Sequence, residues 1–111
     1  MPYAKGDIQI RVPKTIAKDK IVTGKARIIH PMETGFRKDK DTGITFPADY
    51  INDVKVFYGD TLISHFDWTY GVSKDPFLTF SIRADKEAPL KIIWQDNTGG
   101  TGEKAVRIVP R

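Results

Sequence analysis

A chain of 111 residues has the usual length of one domain and can bury a core without disulfide or metal crosslinks. Its lack of cysteine excludes disulfides, thiolate metal sites and thiol nucleophiles on this chain. A net charge of +4 with a sequence pI near 9.4 leaves nucleic-acid binding open as an alternative, whereas no apolar run approaches the roughly 20 residues of a membrane-spanning helix.

The amino terminus, residues 1–7, has no apolar core and no small-residue cleavage site, so we expect no signal peptide here. Charge is uneven along the chain. Seven basic residues between Lys5 and Arg27 face only two aspartates, whereas aspartates dominate from Asp49 to Asp67. This asymmetry is typical either of one basic and one acidic surface or simply of two solvated faces.

Apolar and polar residues alternate with a period of two, which predicts β-strands. We expect about seven strands and no helix, in one domain over residues 1–111. This profile favours an all-β, immunoglobulin-like β-sandwich of antiparallel strands, with a closed barrel as the alternative. The alternating runs are centred on residues 8–12, 24–29, 53–58, 61–68, 78–83, 90–94 and 106–108.

Residues 31–50 show neither pattern. Structureless loops of this length are uncommon in compact domains and are usually functional or disordered. The segment carries Met32, Phe36 and Phe46, too much apolar surface for a solvated linker, so we expect a long functional loop that packs on something.

Candidates for chemistry are few. The two histidines, His30 and His65, lie on different predicted strands without metal-ligand spacing, so we predict no metal site and no cofactor. His30 follows the inward phase of Ile28, which predicts a half-buried ring bonded to a loop carbonyl. No serine lies in a nucleophile context, and the glycine-rich residues 98–104 indicate a hairpin turn and not a phosphate loop.

Outward aromatic side chains are candidate interface contacts. Trp68 and Tyr70 lie at a strand end beside Gly71, and Phe77 takes the outward phase of its strand. Exposed aromatic residues are enriched among those that dominate binding energy.

The long loop also carries a resemblance. The block His30-Pro31-Met32-Glu33-Thr34-Gly35-Phe36-Arg37-Lys38-Asp39 and the block from Ile44 to Ile51 resemble the signature of the SoxZ family. That family supplies the Z subunit of the SoxYZ carrier complex of bacterial thiosulfate oxidation. Further similar blocks are residues 66–68, 72–80 and 93–97.

The resemblance implies an immunoglobulin-like subunit that is not an enzyme and that pairs with SoxY as a heterodimer. SoxY would carry sulfur intermediates on a cysteine near its carboxyl end. The chain would stabilise SoxY and dock the complex transiently to other Sox enzymes. It also implies a periplasmic complex, co-exported by the signal of SoxY, with no nucleic-acid or membrane partner.

We therefore predict a partner-binding surface and no catalytic residues. Two alternatives remain open: a basic β-domain that binds nucleic acid, and a minor enzyme using His30 and Glu33 as base and acid. The predicted partner-binding residues are His30, Pro31, Met32, Glu33, Thr34, Gly35, Phe36, Arg37, Lys38, Trp68, Tyr70 and Phe77.

Overall fold

Seven antiparallel strands in two sheets form the fold, as the alternation predicts. The structure is a computed structural model that describes residues 5–111. Within that range there is no helix, and so none that could cross a membrane. The strands are β1 (Ile8–Arg11), β2 (Ile21–Ile28), β3 (Ile51–Tyr58), β4 (Thr61–Asp67), β5 (Phe77–Arg83), β6 (Ala88–Asp96) and β7 (Thr101–Ile108).

The strands divide into a three-stranded sheet of order β1-β2-β5 and a four-stranded sheet of order β4-β3-β6-β7. A turn at Gly59-Asp60 joins β3 to β4, and Gly59 adopts a φ of 60° that favours glycine. Because the two sheets carry separate hydrogen-bond ladders, the fold is an immunoglobulin-like sandwich and not a closed barrel.

The inward faces of both sheets form one hydrophobic core, and the predicted phases are confirmed. On β5 the buried positions are Leu78, Phe80 and Ile82, which alternate with exposed Thr79 and Ser81. Burying these apolar side chains provides the main stabilisation of the sandwich. The other largest fully buried apolar residues are Ile28, Ile51, Val54, Val56, Leu90, Ile92 and Ile108.

Trp94 is buried and packs against the backbone of β7 at Gly102. Its indole Nε1 donates to the carbonyl of Gly6 at 3.1 Å, which satisfies the polar atom of a buried ring. A Cβ on Gly102 would lie 2.5 Å from that nitrogen, and one on Gly6 would lie 2.7 Å from the ring. The indole ring lies directly against the backbone at both positions, so a side chain there would clash with it.

Candidate partner-binding site

Residues 31–50 form an extended arm whose two halves pair with each other. The arm shows isolated antiparallel bridges between Glu33 and Asp49 and between Lys38 and Thr45. Glu33 and Asp49 exchange both backbone hydrogen bonds, at 2.7 and 3.0 Å. Neither half becomes a regular strand, so the segment is a loop whose two halves meet at single bridges.

The far end of the arm closes in a tight turn. The side-chain Oδ1 of Asp39 accepts the backbone N–H groups of Asp41 and Thr42, and Gly43 has a φ of 71°. These backbone hydrogen bonds, Thr42 first, lower the pKa of Asp39 despite the opposing effect of desolvation. The turn is therefore fixed by local chemistry.

The base of the arm is held by a buried histidine. His30 is only 1% exposed, and its Nε2 donates to Oδ2 of Asp96 at 3.0 Å. Its Nδ1 accepts the backbone N–H of Met32 at 3.2 Å, so the ring is the neutral tautomer with its proton on Nε2. The ring edge also packs against Trp94, with centroids 5.6 Å apart.

Asp96 is the second member of this buried pair. Its Oδ1 accepts the backbone N–H groups of Thr98 and Gly100 and the Thr98 hydroxyl, at 2.7–3.1 Å. Burial acts to raise the pKa of Asp96, but the hydrogen bonds from His30, Thr98 and Gly100 together lower it below its usual value. The carboxylate therefore stays ionised and ties the β6–β7 turn to the arm.

Asp49 and Lys5 complete this cluster. Asp49 Oδ1 lies 3.4 Å from His30 Nε2, and Lys5 Nζ lies 2.6 Å from the other oxygen of Asp49 and 3.9 Å from Asp96. The carboxylates of Asp49 and Asp96 and the imidazole are close enough to coordinate a metal ion. The ammonium of Lys5 already supplies a positive charge to both carboxylates. These ionic contacts hold the end of the arm at Asp49 close to the end of β6 at Asp96.

A second cluster, which is exposed, also consists of one histidine and two aspartates. His65 is hydrogen-bonded to Asp53 across β3 and β4, with Asp67 3.6 Å from the same nitrogen. The hydrogen bond from His65 lowers the pKa of Asp53. This group lies on the solvent-facing side of the sheet, where such ion pairs contribute little.

The prediction of a half-buried His30 bonded to a loop carbonyl is wrong. The ring is fully buried and pairs with a carboxylate 66 residues away. The base-and-acid alternative also lacks its geometry: both His30 nitrogens have partners, and the Glu33 carboxylate is paired with Arg37.

An aromatic groove lies along the arm. The groove has a volume of about 1000 Å³ and is lined by residues 31–34, 36–37 and 70–74. Phe36 is 72% exposed and meets Tyr70 edge-to-face at 5.6 Å, and Tyr70 in turn meets Tyr50 at 6.1 Å. The structure therefore brings the predicted loop residues and Tyr70 together.

Arg37 stiffens the rim of this groove. Its guanidinium bonds both carboxylate oxygens of Glu33 and lies 3.9 Å from the ring centroid of Phe46. The hydrogen bond to Arg37 is the main cause that lowers the pKa of Glu33. One side chain thus connects the two halves of the arm through a planar fork and an aromatic stack.

The remaining predicted residues have distinct positions. Met32 is buried; Pro31, Thr34 and Gly35 are half-buried, and Lys38 is exposed. Trp68 packs beside Phe66 against the core, so it belongs more to the sandwich than to the groove. Phe77 is exposed but lies on β5, where it lines a separate hollow.

Sequence reasoning missed the residues that hold the arm in place. Asn97 accepts the N–H of Tyr50 at 2.8 Å and donates to the carbonyl of Ala48 at 3.1 Å, and Asp75 accepts the N–H of His30 at 3.0 Å. The signal available was the Asp96-Asn97 pair ending a buried strand, a common place for side chains that bond to turns.

Fold and site together define an immunoglobulin-like sandwich with a pre-formed aromatic groove at the arm. The family model for the sulphur oxidation protein SoxZ matches residues 10–107. The chain therefore belongs to the SoxZ family and has a role in sulphur oxidation, as the resemblance implies. Comparison with curated protein sequences gives no match.

Solved structures share the sandwich. A putative superoxide reductase from Thermotoga maritima aligns with a TM-score of 0.73 at 16% identity, covering 97% of this chain and 88% of that one. The sulfur carrier protein SoxY from Chlorobium limicola f thiosulfatophilum aligns at 0.63 and 16%, covering 94% and 78%. A superoxide reductase (neelaredoxin) variant from Archaeoglobus fulgidus aligns at 0.66 and 17%, covering 96% and 90%. At these identities the likeness shows the fold alone.

Proposed function

We propose that the chain is the non-catalytic subunit of a SoxYZ-type carrier complex, and that its arm groove binds a cysteine-bearing SoxY-type subunit. The observation that carries the proposal is the exposed Phe36–Tyr70 ring pair at the groove. A phenylalanine that is 72% exposed gains free energy when a partner covers it.

The arm is suited to binding because it is already ordered. The His30–Asp96 pair, the Asn97 hydrogen bonds and the Arg37–Glu33 fork hold it against the sandwich. A binding surface that is fixed in advance loses less conformational entropy on association. The groove therefore supports a stable subunit contact.

The division of labour follows from the side chains available. The chain has no cysteine, so a covalently bound sulfur intermediate needs a thiol from another subunit. The His30 imidazole is closed off by Asp96 and Met32 and is positioned to organise the arm, not to take a proton from a substrate. These features support binding and stabilisation of the carrier subunit as the role of this chain.

Co-expression with a SoxY-type subunit tests the proposal. The expected result is co-purification at a 1:1 ratio, seen by native mass measurement, with a higher thermal midpoint than either chain alone. Retention of the two chains as separate species, with unchanged midpoints, would contradict it.

Two parts of the proposal concern the assembled complex. We propose that the subunit also helps the complex dock transiently to other Sox enzymes and that it works in the periplasm, co-exported with its signal-bearing partner. Fractionation of cells that express the chain with and without that partner tests the location. The chain should reach the periplasm only when the partner is present, and equal export of the lone chain would refute co-export.

A further inference from the structure

The outer face of the β1-β2-β5 sheet is basic and lies apart from the arm groove. The register of the strand pairs places Gln9, Arg27 and Phe77 in one row across the three strands. The next row contains Arg11, Lys25 and Thr79. The outward basic residues of these strands are Arg11, Lys25, Arg27 and Arg83, and none of their outward residues is acidic.

A small hollow opens between these two rows. It has a volume of about 60 Å³ and is lined by Gln9, Arg11, residues 25–27 and Phe77. A water molecule needs about 10–15 Å³ of such space, so the hollow has room for a carboxylate group. Three cationic side chains therefore surround a space of carboxylate size.

Arg27 provides an unused donor beside this hollow. Its Nε is shielded from solvent and, among the described residues, finds no hydrogen-bond partner. The nearest acid, Asp75, lies at 3.9 Å from the other end of the guanidinium and already accepts the backbone N–H of His30. Because the Arg27 side chain as a whole is 40% exposed, an incoming carboxylate would meet the accessible part of the guanidinium in a charge-assisted hydrogen bond.

Phe77 forms an apolar wall next to these charges. It is 67% exposed, and the Arg27 guanidinium lies 5.0 Å from its ring centroid. This cation–π contact helps to hold the guanidinium beside the ring. The pattern of an exposed ring beside an oriented arginine is typical of residues that dominate protein interfaces.

We propose that this face, defined by Gln9, Arg11, Lys25, Arg27 and Phe77, docks an acidic protein segment. A Glu or Asp carboxylate of that segment enters the hollow, and an adjacent apolar side chain covers Phe77. Charge complementarity identifies the occupant, since the outward residues of these strands include cations and no acid. The proposal does not depend on the groove or on its SoxY-type partner.

Titration of the uniformly ¹⁵N-labelled full chain with acidic peptides tests this inference. The probes are Glu-Glu-Phe-Glu-Glu and Glu-Glu-Ala-Glu-Glu with blocked ends, at physiological ionic strength. Amide shifts should concentrate on residues 9–11, 25–27 and 77–79, and the peptide with phenylalanine should bind more tightly. A 20-base-pair DNA duplex at equal charge concentration is the competing probe.

Two charge reversals separate a local site from net charge. Lys25→Glu should weaken peptide binding by about tenfold, a change of about 1.4 kcal/mol. Arg83→Glu makes the same charge change on the same face, four residues farther along the ladder, or about 13 Å at roughly 3.3 Å per residue. Because that exceeds the Debye length of about 8 Å, binding should change less than twofold.

Three results would overturn the proposal: equal weakening by both reversals, peptide shifts spread over both sheets, or tighter binding of the DNA duplex than of either peptide. Arg27→Lys supplies a further readout, because it keeps the charge and removes the planar fork of the guanidinium. It should weaken binding by about threefold, and unchanged affinity would also count against the proposal.

Discussion

His30 and Asp96 form a buried hydrogen bond of 3.0 Å between side chains that have no exposed surface, and this pair joins the arm to the end of β6. The imidazole organises the arm through both of its nitrogens, while the carboxylate organises the β6–β7 turn through its second oxygen. Each residue therefore orders one of the two neighbouring segments.

Replacing the histidine should destabilise the whole domain. His30→Ala removes a donor to a buried carboxylate and leaves a cavity, so we expect a loss of about 3 kcal/mol in the free energy of unfolding. Urea denaturation measures this loss. His65→Ala is the matched control, because that ring is also bonded to an aspartate but lies exposed, and it should cost under about 1 kcal/mol. Equal losses would show that burial of the pair is unimportant.

The same pair predicts an acid-sensitive stability. Since the folded-state pKa of Asp96 is lowered, the unfolded chain binds the proton more tightly, and stability falls as the pH falls. The contribution is complete above the unfolded pKa of about 3.9 and is lost as the pH drops through the folded value. Asp96→Asn should therefore have a smaller loss of stability between pH 5 and pH 2 than the wild type. Parallel urea titrations at these pH values should show converging stabilities; a constant difference would contradict the prediction.

The backbone at Gly102 lies against Trp94 and should not tolerate a side chain. In Gly102→Ala the new Cβ would begin 2.5 Å from the indole nitrogen, so the ring or the strand must shift. We expect a loss of about 1–3 kcal/mol and a changed tryptophan emission. Gly71→Ala is the control, because the nearest heavy atom to its Cβ is 3.5 Å away and its φ is not positive. Its stability should stay within about 0.5 kcal/mol of the wild type.

The sandwich was predictable because a period of two reports burial directly. Alternation at Leu78, Phe80 and Ile82 requires only that one face of a strand meets the core, and the structure confirms those phases. Turn residues such as Gly59 then mark where each strand ends. These signals are local in sequence, so they can be interpreted without knowledge of the tertiary contacts.

The support of the site was not predictable in the same way. The Asp96 carboxylate meets His30 across 66 residues, and neither residue type alone indicates a buried pair. The apolar residues of the arm do not alternate and so set no register, and its pairing depends on single bridges and on Asn97. The sequence predicts both Phe36 and Tyr70 as partner-binding residues, but their contact depends on how the arm lies on the sandwich.

The groove predicts a clear separation of binding from stability. Phe36→Ala should weaken association with a SoxY-type subunit by about 30-fold or more, the effect of losing an interface anchor worth about 2 kcal/mol. Its thermal midpoint should be almost unchanged because the ring is mostly exposed. Ile44→Ala, at an equally exposed position of the arm outside the groove lining, is the matched control and should bind normally. Calorimetric titration of the three proteins decides; similar affinities would place the contact elsewhere.

Arg37 should control the order of the arm more than the stability of the domain. Arg37→Ala removes the fork to Glu33 and the stack on Phe46, which connect the two halves of the arm. Amide exchange should therefore accelerate at the paired positions Glu33, Phe46 and Asp49, while core amides of β3 and β6 keep their protection. Because the ion pair is exposed, the free energy of unfolding should change little.

Lys38→Ala is the control for this variant. Lys38 is exposed next to Arg37, and its substitution removes the same charge while leaving the Arg37–Glu33 fork intact. Its exchange pattern should match the wild type. If Arg37→Ala also leaves the arm amides protected, the backbone bridges and the His30–Asp96 pair must hold the arm without the fork.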